Sequence, residues 1–319
     1  MTSIRFDSLE YYSTLLSYSI ALEASAYPKP GNTHRLSEYP DKPYLAFILN
    51  SMVFQRVFEE AIRKAYMGQR VGVGGVVYNA VSSMMKYSGF NTSLGQALLL
   101  SPLAISIGRC LREVGEAYDC FVEDYIRVVE ETSVEDSILF YKSVRLIAPS
   151  YLKREDETGD FVNIWDPEFE AKLRAKRHRL VDVLRYSSEK DIVASEVVSG
   201  LNRSRRYTGM LENYLSILRD WNKALVATFL EIMGNEIDTV IARKHGLDTA
   251  VEVSRRAMLV KEFIGRPEFE SEVRALDQYL RERGLNPGSV ADVLTSTIAL
   301  FLLKNGVKPV FLGSQGASR

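Results

Sequence analysis

Cysteine is scarce in this chain of 319 residues, which has only Cys110 and Cys120. Two cysteines make neither a disulfide framework nor a metal-ligating spacing, which favours a reducing, cytoplasmic setting. Excess charge is missing too: 40 Lys and Arg stand against 41 Asp and Glu, a net charge of -1. That balance removes the electrostatic case for a nucleic-acid or anionic-membrane partner, and any positive patch must be local. No run of eighteen apolar residues suggests a membrane span, and the opening residues show no signal-peptide pattern. Alternating apolar residues bounded by turn signals are absent as well, which leaves no basis for a sheet. No repeat of 20 to 50 residues stands out.

What the chain has is apolar residues at helical spacing. Leu9, Tyr12, Leu16 and Ile20 fall on one stripe of a helix over 7–26, and residues 44–67 repeat the pattern. Further helices are expected over 76–85, 97–107, 119–129, 134–148, 167–187, 189–204, 210–233, 236–245, 249–263, 267–283 and 289–304. Pro102 should kink or split the run in which it lies. Gly72-Val73-Gly74-Gly75 lacks the preceding strand and third glycine of a dinucleotide fingerprint, and reads as a helix connection. Residues 153–167 are the most loop-like interior stretch. The expected fold is all-α, a single multi-helix globular domain of about a dozen helices over 1–304, followed by a tail over 305–319. So many apolar faces are compatible with a homodimer, although no heptad seam marks one.

One stretch concentrates chemistry. From Glu23 to Arg35 the chain reads Glu-Ala-Ser-Ala-Tyr-Pro-Lys-Pro-Gly-Asn-Thr-His-Arg. Glu23 continues the apolar stripe three positions after Ile20, so its carboxylate needs a cation or donors. Pro28 and Pro30 end the helix, and Gly31 supplies the freedom a tight turn requires. Lys29, Asn32, His34 and Arg35 then surround the turn like a seat for an anion beside an acid. The plain alternative is a helix C-terminus with basic residues answering its dipole.

Four further segments place polar groups in apolar surroundings. Asn91, Thr92 and Ser93 precede an apolar helix, where they can cap it or leave amides for a phosphate. Asp191 and Glu196, five residues apart, would lie about 140° apart around one helix and flank a site rather than stack. The plain reading there is an exposed charged helix. Asp238 sits between Ile237 and Ile241, with Thr239 and Arg243 one turn apart and Lys244 and His245 in a last turn closed by Gly246. Asn286-Pro287-Gly288-Ser289 opens a strongly apolar helix with Ser289 and Asp292 at capping-box spacing, a pattern that serves capping or a phosphate cradle.

Together and in this order, these pieces resemble the triphosphoribosyl-dephospho-CoA synthases, which make the prosthetic-group precursor of citrate lyase and malonate decarboxylase. The matching pieces are Glu23 with Pro28-Lys29-Pro30-Gly31 and His34-Arg35, Asn91-Thr92 with Gly95, and the Asp191–Glu196 segment. Asp238-Thr239 with Arg243-Lys244, and Asn286-Pro287-Gly288-Ser289 with Ala291-Asp292, complete the match. The chain is closer to archaeal-type homologues than to bacterial ones. Bacterial members usually carry Thr-His-Lys-Gly where this chain has Thr92-Ser93-Leu94-Gly95, and Pro-Gly-Gly-Ser at Pro287-Gly288-Ser289-Val290. The absent His and Lys leave the identity of the acceptor open.

The resemblance implies a cytoplasmic transferase that binds ATP and dephospho-CoA or a related hydroxyl acceptor. A hydroxyl attacks C1 of the ATP ribose, adenine leaves, and the triphosphate stays on the product. An oxocarbenium-like centre calls for a nearby carboxylate, and the triphosphate calls for cations, helix N-termini and Mg²⁺. The residues that match give Glu23 and Asp238 as catalytic acids and Asp191 and Glu196 as magnesium ligands. Lys29, Gly31, Asn32, His34, Arg35, Asn91, Thr92, Arg243, Lys244, Asn286, Gly288, Ser289 and Asp292 are the expected nucleotide and phosphate contacts. Two other classes stay open: a metal-dependent nucleotide or ADP-ribose-type hydrolase, and a non-catalytic nucleotide-binding helical protein.

Overall fold

The structure, a computed structural model, describes residues 6–149 and 158–313. Its described residues form sixteen α-helices and no strand beyond two isolated bridges in the loop 34–42. They are α1 (Phe6–Ser25), α2 (Tyr44–Tyr66), α3 (Val73–Tyr87), α4 (Leu94–Glu113), α5 (Tyr118–Glu130), α6 (Val134–Ile147), α7 (Phe169–Lys176) and α8 (Leu180–Ser187). The rest are α9 (Ile192–Val198), α10 (Asn202–Leu218), α11 (Trp221–Asn235), α12 (Thr239–His245), α13 (Leu247–Lys261), α14 (Phe269–Glu282), α15 (Gly288–Asn305) and α16 (Lys308–Gly313). The all-α expectation holds, with more and shorter helices than the periodicity suggested. The chain divides into two compact units, residues 1–17 with 49–201 and residues 18–48 with 202–319.

In the first unit, α4 packs against α3, α5 and α9, and α6 packs against α3, α7 and α8. Nearly every residue of α4 from Gln96 to Leu111 is buried. Among the described residues it alone is long and apolar enough to cross a membrane, and 83% of its apolar window is buried inside the protein. Pro102 does not split this helix. The Tyr125 hydroxyl donates to the Leu99 carbonyl at 3.1 Å, beside the carbonyls that the proline ring disturbs. The glycine-rich patch begins α3, and a Cβ on Gly74 would stand 2.1 Å from the Asp136 carbonyl on α6. Only glycine permits this helix crossing. Asp136 uses one carboxylate oxygen on the Gly74 amide (2.9 Å) and the other in a capping box with Ser133.

Cys110 near the end of α4 and Cys120 at the start of α5 are joined in a disulfide. This corrects the expectation that the two cysteines make no disulfide framework. The turn between the two antiparallel helices brings the cysteines together, a proximity that their spacing alone did not reveal. The reducing-compartment argument therefore falls away, while the disulfide itself does not decide the compartment.

In the second unit, α15 packs against α10, α11 and α12, and α13 packs against α11, α12 and α14. Residues Ser289 to Leu302 of α15 are buried almost without interruption. Polar side chains bond across this packing: the Ser204 and Ser296 hydroxyls meet at 2.7 Å, and Thr208 donates to the Thr297 carbonyl. The tail expected after 304 continues into α16, which packs on α11 and buries Val310. Of the loop expected over 153–167, residues 153–157 lie outside the described residues.

Candidate functional site

The second unit gathers most of the polar residues singled out from the sequence. Glu23 lies in the last turns of α1, and the chain reverses over Tyr27–Gly31 with a cis Tyr27–Pro28 peptide bond. The reversal brings the Lys29 ammonium onto the Glu23 carboxylate, with both side chains essentially inaccessible to solvent. Lys29 also donates to the Glu23 carbonyl at 2.9 Å. Burial pushes the Lys29 ammonium down, and the Glu23 charge opposes that shift. Glu23 is therefore the counterion that allows a lysine in the interior.

The remainder of the turn is held by α11, α14 and the loop before α15. Asn222 accepts from the Tyr27 amide (2.9 Å) and donates to the Tyr27 carbonyl. Gly31 has φ +69°, and a Cβ there would lie 2.5 Å from the Leu285 carbonyl and 2.8 Å from Leu280. Both its backbone conformation and its surroundings require glycine. The Gly31 amide donates to Asp277 Oδ1 (2.8 Å), and Tyr39 donates to the Gly31 carbonyl (2.9 Å). Asn32 donates to the Asn286 side-chain oxygen at 2.9 Å, joining two motifs 254 positions apart.

His34 is buried, with Nε2 3.3 Å from Asp277 Oδ2. Its Nδ1 accepts from the Leu36 amide (3.2 Å), so the neutral ring carries its proton on Nε2, facing Asp277. Burial pushes the His34 pKa down, against the bond and charge of Asp277. Burial would raise the Asp277 carboxyl, but His34, Arg281 and the Gly31 amide together hold it below its usual value. Arg35 is exposed, its guanidinium 5.5 Å above the Tyr27 ring, which Arg274 also approaches at 4.8 Å. Tyr27, Pro28, His34, Arg274, Asp277 and Arg281 line an open cleft of about 350 Å³.

Asp238 precedes α12 and is buried, with both oxygens engaged by helix N-termini. Oδ1 accepts from the Ile241 amide (2.8 Å), and Oδ2 accepts from the Ser289 hydroxyl (2.8 Å) and the Val290 amide (2.9 Å). Ser289 Oγ in turn accepts from the Thr239 amide (2.9 Å). The anion at the head of α15 is thus the protein's own carboxylate, and Ser289 bonds Asp238 instead of forming a capping box with Asp292. Burial pushes the Asp238 carboxyl up while these donors oppose it. Arg243 and Lys244 are exposed on α12; Asn286, Gly288 and Asp292 are half-buried at the head of α15.

Three residues of this neighbourhood escaped the sequence reading. Lys42 is half-buried, and its carbonyl accepts from Thr33 Oγ1 at 2.9 Å. Burial pushes its ammonium down; Asp292 opposes the shift and Lys244 adds to it. Asp277 and Arg281 on α14 are the other two. At i, i+4 spacing they read as an ordinary surface pair, yet Arg281 bonds Asp277 (2.8 Å) and the Asn32 carbonyl.

The other candidates belong to the first unit. Asn91 is half-buried, and Thr92 accepts from Asn50 Nδ2 (2.7 Å) and meets Ser93 Oγ at 3.0 Å. Ser93 takes the N-cap position of α4 without a side-chain capping bond. Asp191 is not within a helix but caps α9, its Oδ1 accepting from the Val193 and Ala194 amides. Glu196 is buried in α9, where its charge adds to the effect of burial in raising the Tyr125 phenol. No group of three His, Cys, Asp or Glu side chains able to hold a metal occurs among the described residues.

A family model described as ATP:dephospho-CoA triphosphoribosyl transferase matches residues 9–310. No curated protein matches the chain. A solved structure from Archaeoglobus fulgidus, described as a candidate triphosphoribosyl-dephospho-CoA synthase, is similar at 22% identity and a TM-score of 0.63. The similarity covers 81% of this chain and 99% of that one.

Proposed function

We propose that this chain, which belongs to the ATP:dephospho-CoA triphosphoribosyl transferase family, moves the triphosphoribosyl group of ATP to a hydroxyl of dephospho-CoA or a related acceptor. The ribose C1–N9 bond breaks, a C1–O bond to the acceptor forms, and the proton lost by the hydroxyl is balanced by the one that adenine takes up at N9 as it leaves. The observation that carries the residue-level reading is the joining, within one unit, of three motifs far apart in sequence. Asn32 bonds Asn286, and Asp238 bonds Ser289 and Val290.

Roles follow from what each group exposes. Arg243, Lys244 and Arg35 are exposed cations suited to a polyphosphate, and Lys42 is half-buried within reach of the Lys244 charge. Lys29 is buried and paired with Glu23, which limits direct contact with a ligand. Asp238 organises the heads of α12 and α15, so Asp292 is the more accessible carboxylate for a developing positive charge at C1. Asn91 and Thr92 belong to the first unit and are assigned to substrate on the family motif.

Magnesium is expected with ATP, whose phosphates supply most of its ligands, so one or two protein carboxylates suffice. Asp191 is already engaged as a cap and Glu196 is buried; this pair does not by itself make a metal site. When bound, the ion would neutralise phosphate charge, and no step here is routed through it. These substrates support a cytoplasmic setting. The reading is tested by chromatography of reactions holding ATP, dephospho-CoA and Mg²⁺. Adenine should appear only when both substrates are present. A folded sample that binds ATP but yields ADP or AMP, or no adenine, rejects the reaction.

A further inference from the structure

Asp277 lies outside every motif on which the proposed function rests, yet it touches the Glu23–Arg35 stretch at several points. Its Oδ1 accepts from the Gly31 amide and from Arg281 Nε, both at 2.8 Å, and its Oδ2 faces His34 Nε2 at 3.3 Å. Arg281, fixed by that carboxylate, donates to the Asn32 and Ser37 carbonyls, and its guanidinium lies 5.4 Å from the centre of the Tyr39 ring. Tyr39 in turn donates to the Gly31 carbonyl, so both backbone groups of Gly31 are held, one directly and one through Arg281 and Tyr39. Asn32, whose backbone Arg281 grips, carries the side-chain bond to Asn286.

We propose that Asp277 is a positioning residue for the reaction: it locks the Pro28–His34 turn onto α14, and through Asn32 sets that turn against the loop that opens α15. A surface ion pair would need only Arg281. Asp277 also spends oxygens on a backbone amide and a buried imidazole, the arrangement of a group that orients others. Gly31 cannot be exchanged for a residue that holds itself, because its surroundings exclude a Cβ, so the turn depends on outside bonds. His34 reports on the lock. The groups facing it are Asp277 and Arg281 from α14, Lys29 from the turn, and the edge of the Tyr27 ring at 5.0 Å between centroids.

This inference rests on the transfer reading only for its activity readouts. The variants are Asp277→Asn, which keeps an acceptor but loses the charge, Asp277→Ala, and the conservative Asp277→Glu. With three histidines in the chain, the His34 ring proton can be followed by NMR. In Asp277→Asn the His34 midpoint should fall by about one pH unit, because a facing carboxylate favours the charged ring. Gly31 amide exchange should quicken about tenfold in Asp277→Ala and less in Asp277→Asn. The Kd for ATP and kcat/KM for adenine release should each worsen about tenfold in Asp277→Ala, with partial rescue in Asp277→Glu. The proposal is overturned if the His34 midpoint and Gly31 exchange stay put. It is equally overturned if they move while ATP affinity and kcat/KM do not, or if activity merely follows melting temperature across the three variants. If Asp277→Ala does not fold, Asp277→Asn decides alone. A wild-type protein that releases no adenine would sink the transfer reading, and the NMR, exchange and ATP-binding measurements would still decide this one.

Discussion

Replacing Glu23 by Gln removes the counterion of a lysine that is fully buried. Two routes then remain for Lys29. It can stay charged without its counterion, which in buried pairs costs about 3–5 kcal/mol. Or it can lose its proton, which at pH 7 costs about 1.36 kcal/mol for each of the roughly 3.4 pH units below the ordinary lysine pKa, or about 4.6 kcal/mol. The cheaper route sets a destabilisation of about 3–4.6 kcal/mol at pH 7. A lysine neutral in the folded state and protonated in the unfolded state makes stability rise with pH up to its unfolded pKa. The deficit of the variant should therefore shrink by up to about 1.4 kcal/mol per unit between pH 7 and 9. The double variant Glu23→Leu with Lys29→Met removes both charges and should recover to within about 1.5 kcal/mol of the wild type while losing transferase activity. Urea unfolding followed by far-UV circular dichroism at both pH values measures these quantities. A single-variant cost below about 1 kcal/mol, or a deficit unchanged at pH 9, would refute the description of this pair.

Four other outcomes are expected. Gly31→Ala should cost about 2–3 kcal/mol or more, against about 1 kcal/mol for Gly284→Ala, which shares a positive φ but meets open space; parallel unfolding curves compare them. Asp238→Ala leaves buried donors of two helix heads without an acceptor and should cost about 3–5 kcal/mol, with Asp238→Asn costing less, as read from thermal melts. Because burial lowers the His34 pKa, the unfolded chain takes up a proton first, and stability should fall as pH drops below about 6.5. His34→Gln should remove that part of the decline, and an unchanged slope would contradict it. Reducing Cys110–Cys120, which closes a short loop, should cost about 2–3 kcal/mol; melts with and without a thiol reductant give the value.

Legibility differed sharply along the chain. The Glu23–Arg35 and Asn286–Asp292 stretches stood out because charged residues interrupted apolar periodicity beside proline and glycine. Segment ends with those punctuators, such as Gly246 and Gly306, were placed closely. The helices expected over 167–187, 189–204 and 210–233 divide where Arg177 (φ +55°), Leu201 (φ +61°) and Arg219 (φ +49°) turn left-handed. Long side chains rarely adopt that conformation, so none of them reads as a breaker. Asp277, Arg281 and Lys42 were hidden for another reason. Each has the spacing or setting of a solvated charge, and only tertiary packing reveals what it faces. The disulfide was hidden in the same way.

The most direct test is the mass of the product formed from ATP and dephospho-CoA with Mg²⁺. The account predicts one compound equal to dephospho-CoA plus a ribosyl unit bearing all three ATP phosphates, formed in step with free adenine. Free ribose triphosphate with unchanged dephospho-CoA would mean that water receives the sugar, and would contradict it.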